Sequence, residues 1–282
     1  MSGPFTPGWG RRAAVVAREE FRRAFDTRWM FGFTLLLVAL VLGLSYFGLS
    51  QSREVGFQGF DRVTLSLMNL VLFIVPLTGL TLGVTSVTGS SGALALLLAQ
   101  PVARGEVLLG KFAGLAGALS VALALGFGAG GMLVALNTGP QQAQSFLVLT
   151  AITLVLGWLT VAAALGISVV WPDRLKAMSA ALLLWLLMVV AYDLAVLGAT
   201  AAFHGVPLQA ILFPSLILNP VDLARVLVML STGSGALFGP TAAVLSKSFG
   251  AGPGIALGLA VLSVETLVPL LVAAAVFRRR DW

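Results

Sequence analysis

Gly105, Gly110 and Lys111 fit G-x-x-x-x-G-K, the opening of a loop that wraps phosphate in backbone N–H groups. The neighbouring residues argue against that chemistry. Phe112 stands where a Ser or Thr would hold magnesium, residues 101–104 replace the buried strand that should lead in, and Glu106 puts a negative charge among the amides. Metal chemistry is equally short of ligands. The 282 residues include no cysteine and a single histidine, His204, which removes disulfides, thiolate sites and most imidazole catalysis. Methionines at 30, 68, 132, 178, 188 and 229 lack the clustered spacing that soft Cu(I) prefers. No catalytic residue, cofactor site or metal site is expected in this chain. Two acids remain, Asp193 and Glu265, each inside an apolar stretch where charge is costly and an ionisable group is a functional candidate by default. The sequence shows no basic partner at matching depth, so neutral, hydrogen-bonded carboxylic acids at helix contacts are an equal alternative.

The elements that must carry these residues follow from composition. The chain is 59% hydrophobic and only 10% charged, against about 25% charged in soluble domains. It reads as an all-α polytopic membrane protein. Six apolar spans are expected at 29–49, 63–87, 107–136, 146–170, 177–201 and 255–277. The first is too long for a signal-peptide core and lacks a cleavage pattern, so it stays as a membrane helix. The third is longer than a bilayer requires and must tilt or project past the membrane face.

Basic residues orient the spans. One side receives Arg11, Arg12, Arg18, Arg22, Arg23, Arg28, Arg104, Lys111, Arg174, Lys176 and Arg278 to Arg280, while the other receives only Arg53, Arg62, Arg225 and Lys247. This bias places both termini in the cytoplasm and explains the net charge of +6 without nucleic acid. Residues 1–28 form a cytoplasmic N-terminal segment, and residues 29–282 a six-helix transmembrane domain. Within the first, Ala14, Ala17, Phe21, Ala24 and Phe25 recur at helical spacing, with Arg12, Glu19, Arg22, Arg23 and Asp26 elsewhere around the helix. That is an amphipathic surface helix, and its charge pattern suits a membrane anchor and a specific contact equally.

The cytoplasmic loop 88–111 is the longest polar-flanked interruption on its side. Thr88, Gly89, Ser90, Ser91 and Gly92 disfavour a continuing helix, and the apolar run 93–99, stopped by Gln100 and Pro101, is too short to cross a bilayer. A short helix at the membrane surface is expected there, acting as a lever for a partner. On the outer side, residues 202–254 form a long loop. Residues 208–218 should enter the leaflet without crossing. Asn219 and Pro220 then suit a helix N-cap and first helical position, Asp222 suits the first turn, and a short helix 220–230 would pair Asp222 with Arg225. Small-residue pairs at Gly79 and Gly83, Gly110 and Gly114, Gly126 and Gly130, and Gly254 and Gly258 permit close helix approach.

The run LLLAQPVARGEVLLGK ending at Lys111 resembles the loop between the second and third helices of ABC-2 type transporter permeases, where a leucine-rich segment precedes Pro-Val-x-Arg-Gly-Glu. YDL at Tyr192, ILNPVDLARV from Ile217 and AVFRRR from Ala275 are similar to stretches of those members that serve nitrous-oxide reductase maturation. The resemblance implies the six-helix, type V exporter-like fold with both termini inside, in the bacterial inner membrane. It also implies a homodimer working with two copies of a separate cytoplasmic ABC ATPase, which binds ATP and magnesium, so that this chain is not itself an enzyme. Arg18, Phe21, Arg22, Gly92, Leu96, Leu97, Pro101 and Arg104 would couple to that ATPase, and Asn219, Pro220, Asp222 and Arg225 would meet a periplasmic partner. One departure is plain: residues 87–91 carry no acid where the family usually has one, leaving helix shape and apolar contact to do the coupling. An ABC-2 exporter of a lipid, drug or peptide is the alternative, with a secondary transporter behind it.

Overall fold

The computed structural model describes residues 9–55, 58–89, 103–137, 140–202, 214–231 and 251–279, and these are helical apart from short connections. Helix α1 spans Trp9–Asp26, α2 Arg28–Val55, α3 Gln58–Thr88, α4 Arg104–Asn137 and α5 Pro140–Val170. Helix α6 spans Arg174–Ala202 and contains one π-helical turn at Leu187–Ala191. Helix α7 spans Pro220–Ser231 and α8 spans Ala251–Arg279. Among the described residues, α2, α3, α4, α5, α6 and α8 are long and apolar enough to cross a membrane. The six expected spans are therefore present. Each helix runs past at least one of its predicted ends, by up to six residues, because polar residues outside the hydrocarbon continue the helical hydrogen bonding, while α5 stops at the predicted Val170.

Helix α4 shows this best. Its 34 residues at about 1.5 Å each give a rod of about 51 Å, well beyond a hydrocarbon core of about 30 Å. The amino-terminal turns of α4 project, and α1 packs along them. The two helices are joined by one of the most extensive contacts in the fold, alongside those of α5 with α3 and α8. Helices α3 and α5 form the interior, with 61% and 56% of their apolar windows buried, whereas α6 has only 6% buried and lies outermost.

Glycine sets how closely these rods approach. A Cβ on Gly110 would lie 2.7 Å from the Ala13 carbonyl oxygen and 2.7 Å from Val16 Cβ. One turn on, a Cβ on Gly114 would lie 2.8 Å from Glu20 Cβ. The Gly110 and Gly114 pair thus forms the bed for α1, while Gly126 receives Leu37 and Gly130 receives Val41 from α2. On the other face of the bundle, Gly83 would meet Ala164 Cβ at 2.5 Å, which brings α3 against α5.

The corner between α1 and α2 is built by Thr27. Its hydroxyl donates to the Arg23 carbonyl at 2.8 Å, and its own carbonyl accepts from Met30 N at 3.0 Å, so one residue closes one helix and opens the next.

Replacing Gly110 with leucine is expected to lift α1 from its bed and cost about 1–3 kcal/mol, the range for overpacking a tight contact. Gly105→Ala meets no neighbour within 4 Å and should leave stability level or raise it by up to ~1 kcal/mol. Thermal unfolding of the two purified variants in one detergent checks both signs.

Candidate functional site

The projecting end of α4 places Lys111 against α1 and the end of α3. Lys111 Nζ donates to Glu20 Oε1, to the Ser86 carbonyl oxygen at 3.1 Å and to Ser86 Oγ at 3.1 Å. Ser86 Oγ in turn donates to Glu20 Oε2 at 2.8 Å. The three donors of the ammonium group are all used, and both carboxylate oxygens accept. The Lys111 and Glu20 side chains are only 3% and 5% exposed. A buried charge pair of this kind holds only when every polar atom has a partner, so it fixes three helices in one register.

This arrangement corrects the reading of α1. The buried stripe is Val16, Glu20 and Ala24, with Ala13, Ala17 and Phe21 half-buried beside it, and Ala14 is exposed. An acid sits in the middle of the apolar face because Lys111 is there to receive it. Spacing held the clue, since Glu20 falls four residues from Val16 and from Ala24. Phe21 lies over Gly117, where a Cβ would be 3.5 Å from its ring, and its ring centroid is 5.2 Å from that of Phe25. Arg18 and Arg22 remain exposed on the opposite face.

The loop 88–111 returns to the bundle through a helix start. Residues 104–111 are continuous helix, so the glycines at 105 and 110 form no phosphate loop. Glu106 instead accepts the Ala103 N–H at 2.9 Å, the acid's half of a capping box. Arg104 donates to the Phe277 carbonyl oxygen at 3.1 Å, near the carboxyl end of α8, where the helix dipole favours a cation. Gly92, Leu96, Leu97 and Pro101 lie outside the described residues.

A second polar cluster joins α6 to α7. At the π turn, Tyr192 N–H reaches back five residues to the Leu187 carbonyl, one further than an α-helix would. Asn219 Nδ2 donates to the adjacent Met188 carbonyl at 2.7 Å. Its Oδ1 accepts the Val221 N–H at 3.0 Å, so Asn219 is the N-cap of α7 and Pro220 its first residue, as the sequence predicts. Tyr192 Oη donates to the Ser215 carbonyl oxygen at 2.7 Å, which ties α6 to the segment 214–218 that leads into α7.

Arg225 completes this cluster. Its Nη1 donates to Asp222 Oδ1 at 2.8 Å, the expected pair, and to Asp193 Oδ2 at 2.9 Å. The expectation that Asp193 lacks a basic partner is therefore wrong. The two residues lie 32 apart in sequence, and their meeting depends on α7 turning back beside α6, which helical spacing cannot reveal. Burial pushes the Asp222 carboxyl up to about 7, with the Asp193 carboxylate adding to the rise and the Arg225 guanidinium opposing it. Glu265 belongs to neither cluster. It lies on α8 with both carboxylate oxygens buried and no hydrogen-bond partner among the described residues.

Residues 14–282 match the model of a family described as "ABC-2 family transporter protein". A protein of Stutzerimonas stutzeri described as "Probable ABC transporter permease protein NosY" is 33% identical over 277 residues, covering 94% of this chain and 97% of the relative. A protein of the same description from Pseudomonas aeruginosa is 32% identical over 275 residues, covering 94% and 98%.

Lys111→Met is expected to lower stability by about 3–5 kcal/mol, because Glu20 is left buried without its counter-charge. Combining it with Glu20→Met should recover most of the loss, since two well-packed apolar groups commonly replace a buried pair at little cost. Unfolding midpoints of the single and double variants form the cycle that separates pairing from packing.

Proposed function

This chain belongs to the ABC-2 family and is the permease subunit of an ABC transporter; from that premise we propose that it converts ATP hydrolysis by a separate subunit into movement at the outer face, in a system maturing nitrous-oxide reductase. The observation that carries this reading is the buried Lys111–Glu20–Ser86 junction. It joins the exit from α3, the start of α4 and the surface helix α1, so the coupling segment leaves and re-enters the bundle at points already clamped together. A push on that segment reaches α1, α3 and α4 at once, and reaches α8 through Arg104 and Phe277. Such input moves helices as rigid bodies, the usual output of a two-state domain rearrangement.

In this proposal the protein is a homodimer in the bacterial inner membrane with both termini in the cytoplasm, consistent with thirteen of its seventeen basic residues lying on that side. Two copies of a NosF-like ATPase bind the ATP and magnesium. They contact Arg18 and Arg22 on the exposed face of α1 and the segment containing Gly92, Leu96, Leu97 and Pro101. Phe21 and Arg104 serve the same coupling from within, by holding α1 on α4 and α4 on α8. At the other end, α7 and its Asn219, Asp222 and Arg225 cluster form the seat of a periplasmic NosD-like protein. The ties from Asn219 to Met188 and from Arg225 to Asp193 pass movement of α6 to that seat. With no cysteine and one histidine, this subunit transmits motion and leaves copper ligation to others.

Gentle solubilisation from native membranes should bring down an ATPase and a periplasmic protein together with this chain. An ATPase alone would favour the exporter of a lipid, drug or peptide, and no ATPase would remove the coupling reading. Leu96→Asp or Leu97→Asp is expected to abolish permease-dependent stimulation of ATP hydrolysis while leaving the folded protein in the membrane. Unchanged stimulation would show that the segment is not the contact.

A further inference from the structure

Between α1, the end of α3 and the start of α6 lies a cavity of about 530 Å³, within the range of small-molecule sites. Two cations reach it from different helices. Arg23 comes from α1 and Arg174 from the first turn of α6. Arg23 uses Nε for Glu19 at 3.0 Å, which leaves its terminal nitrogens for a ligand. Arg174 is exposed and makes no hydrogen bond or ion pair among the described residues. Among the described residues of the lining, Glu20 is the only acid, and it is already neutralised by Lys111. The cavity therefore presents net positive charge to whatever enters it.

Its remaining walls are those of a lipid site. Leu82, Leu115 and Met178 supply apolar surface, and Trp29 stands at the first turn of α2, where an amphipathic indole marks the boundary of a bilayer. The start of α2, the end of α3 and the start of α6 all meet here, so the cavity sits level with one membrane surface. Thr81 and Thr85 also face it, and their hydroxyl protons are committed to their own helix. Thr81 Oγ1 donates to the Thr78 carbonyl at 3.0 Å and Thr85 Oγ1 to the Thr81 carbonyl at 2.8 Å. What these oxygens offer a ligand is acceptance. A fitting occupant has a phosphate for two guanidinium groups, hydroxyls that donate to the threonines, and an apolar tail.

We propose that this cavity binds one anionic glycerophospholipid with a hydroxyl-bearing headgroup, phosphatidylglycerol, which bridges the surface helix to the start of the fifth span. Phosphate accepts from Arg23 and Arg174, the headgroup glycerol donates to Thr81 and Thr85, and the acyl chains leave along Leu82 and Met178 into the membrane. The bridge is needed because α1 makes its extensive contacts with α4 and not with α6. It does not rest on the identity of the ATPase or of the periplasmic partner.

The test is lipid retention by the full-length protein. Wild type is reconstituted into phosphatidylcholine discs containing one-fifth phosphatidylglycerol or, in parallel, one-fifth phosphatidic acid, released in mild detergent, and its bound lipid counted by native mass spectrometry. Wild type should retain one phosphatidylglycerol and less phosphatidic acid, which lacks the headgroup hydroxyls. Arg23→Gln with Arg174→Gln should lower retention roughly tenfold or more, the loss expected from removing charge-assisted hydrogen bonds. Arg11→Gln with Arg18→Gln removes the same charge from outside the cavity and should retain lipid as wild type does. Both altered arginines are exposed, and unchanged melting temperatures confirm that folding is intact. Equal retention in the cavity variant, or equal loss in the control, overturns the site. Equal retention of phosphatidic acid overturns the headgroup assignment. Displacement of the lipid by glycerol 3-phosphate or inorganic phosphate alone would assign the cavity to a soluble phosphate and overturn the membrane source.

Discussion

Removing an ammonium group and a carboxylate from water costs several kcal/mol for each ion even after relaxation, and that demand shapes the half of the structure around Lys111. Lys111 and Glu20 tolerate burial only because Ser86 supplies both a carbonyl and a hydroxyl between them. The geometry leaves α1 little freedom. Its carboxylate must sit beside the ammonium, so its register on α4 is fixed to the residue, and Gly110 and Gly114 must be bare to let it come that near. Apolar packing alone would hold α1 against the bundle with far less directional preference.

The cluster between α6 and α7 works under a different constraint. A helix in an apolar surrounding must satisfy its backbone internally, yet α6 widens into a π turn at Leu187–Ala191. Asn219 meets the Met188 carbonyl there and caps α7 with its other atom, so a departure from regular geometry in one helix becomes the fastening point of the next. Arg225 then bridges an acid from each helix. These ties are few and directional, as suits two elements that share a modest contact area.

The spans and their number were legible in the sequence because hydropathy is a local property, whereas the interruption set at 88–111 ran too far, since helix α4 already begins at Arg104. The cap at Asn219–Pro220 was legible too, because its chemistry lies within two adjacent residues. What escaped were pairings over distance. Glu20 with Lys111, Asp193 with Arg225, and Asn219 with Met188 each join helices whose relative rotation no local pattern specifies. The apolar face of α1 was misjudged for a related reason: Ala14 fits the helical spacing, but the surface that α1 meets is a glycine groove with a lysine in it, and an acid suits that groove better than an alanine does. Rejection of the phosphate loop held because it rested on what the motif lacked. Lys111 and Glu106 nevertheless had work to do, as the anchor and as the cap of the same helix start.

The tie between Arg104 and the Phe277 carbonyl bears on how the protein is made. Helix α8 leaves the ribosome well after α4, and its end fastens to a residue synthesised 173 positions earlier. Until α8 arrives, the start of α4 holds α1 but has no purchase on α8. Helix α1, made before α4, likewise has no counter-charge for Glu20 until Lys111 emerges to receive it. Helices α1 and α8, made before and after α4, thus converge on its start, and that junction is complete only once α8 has been made.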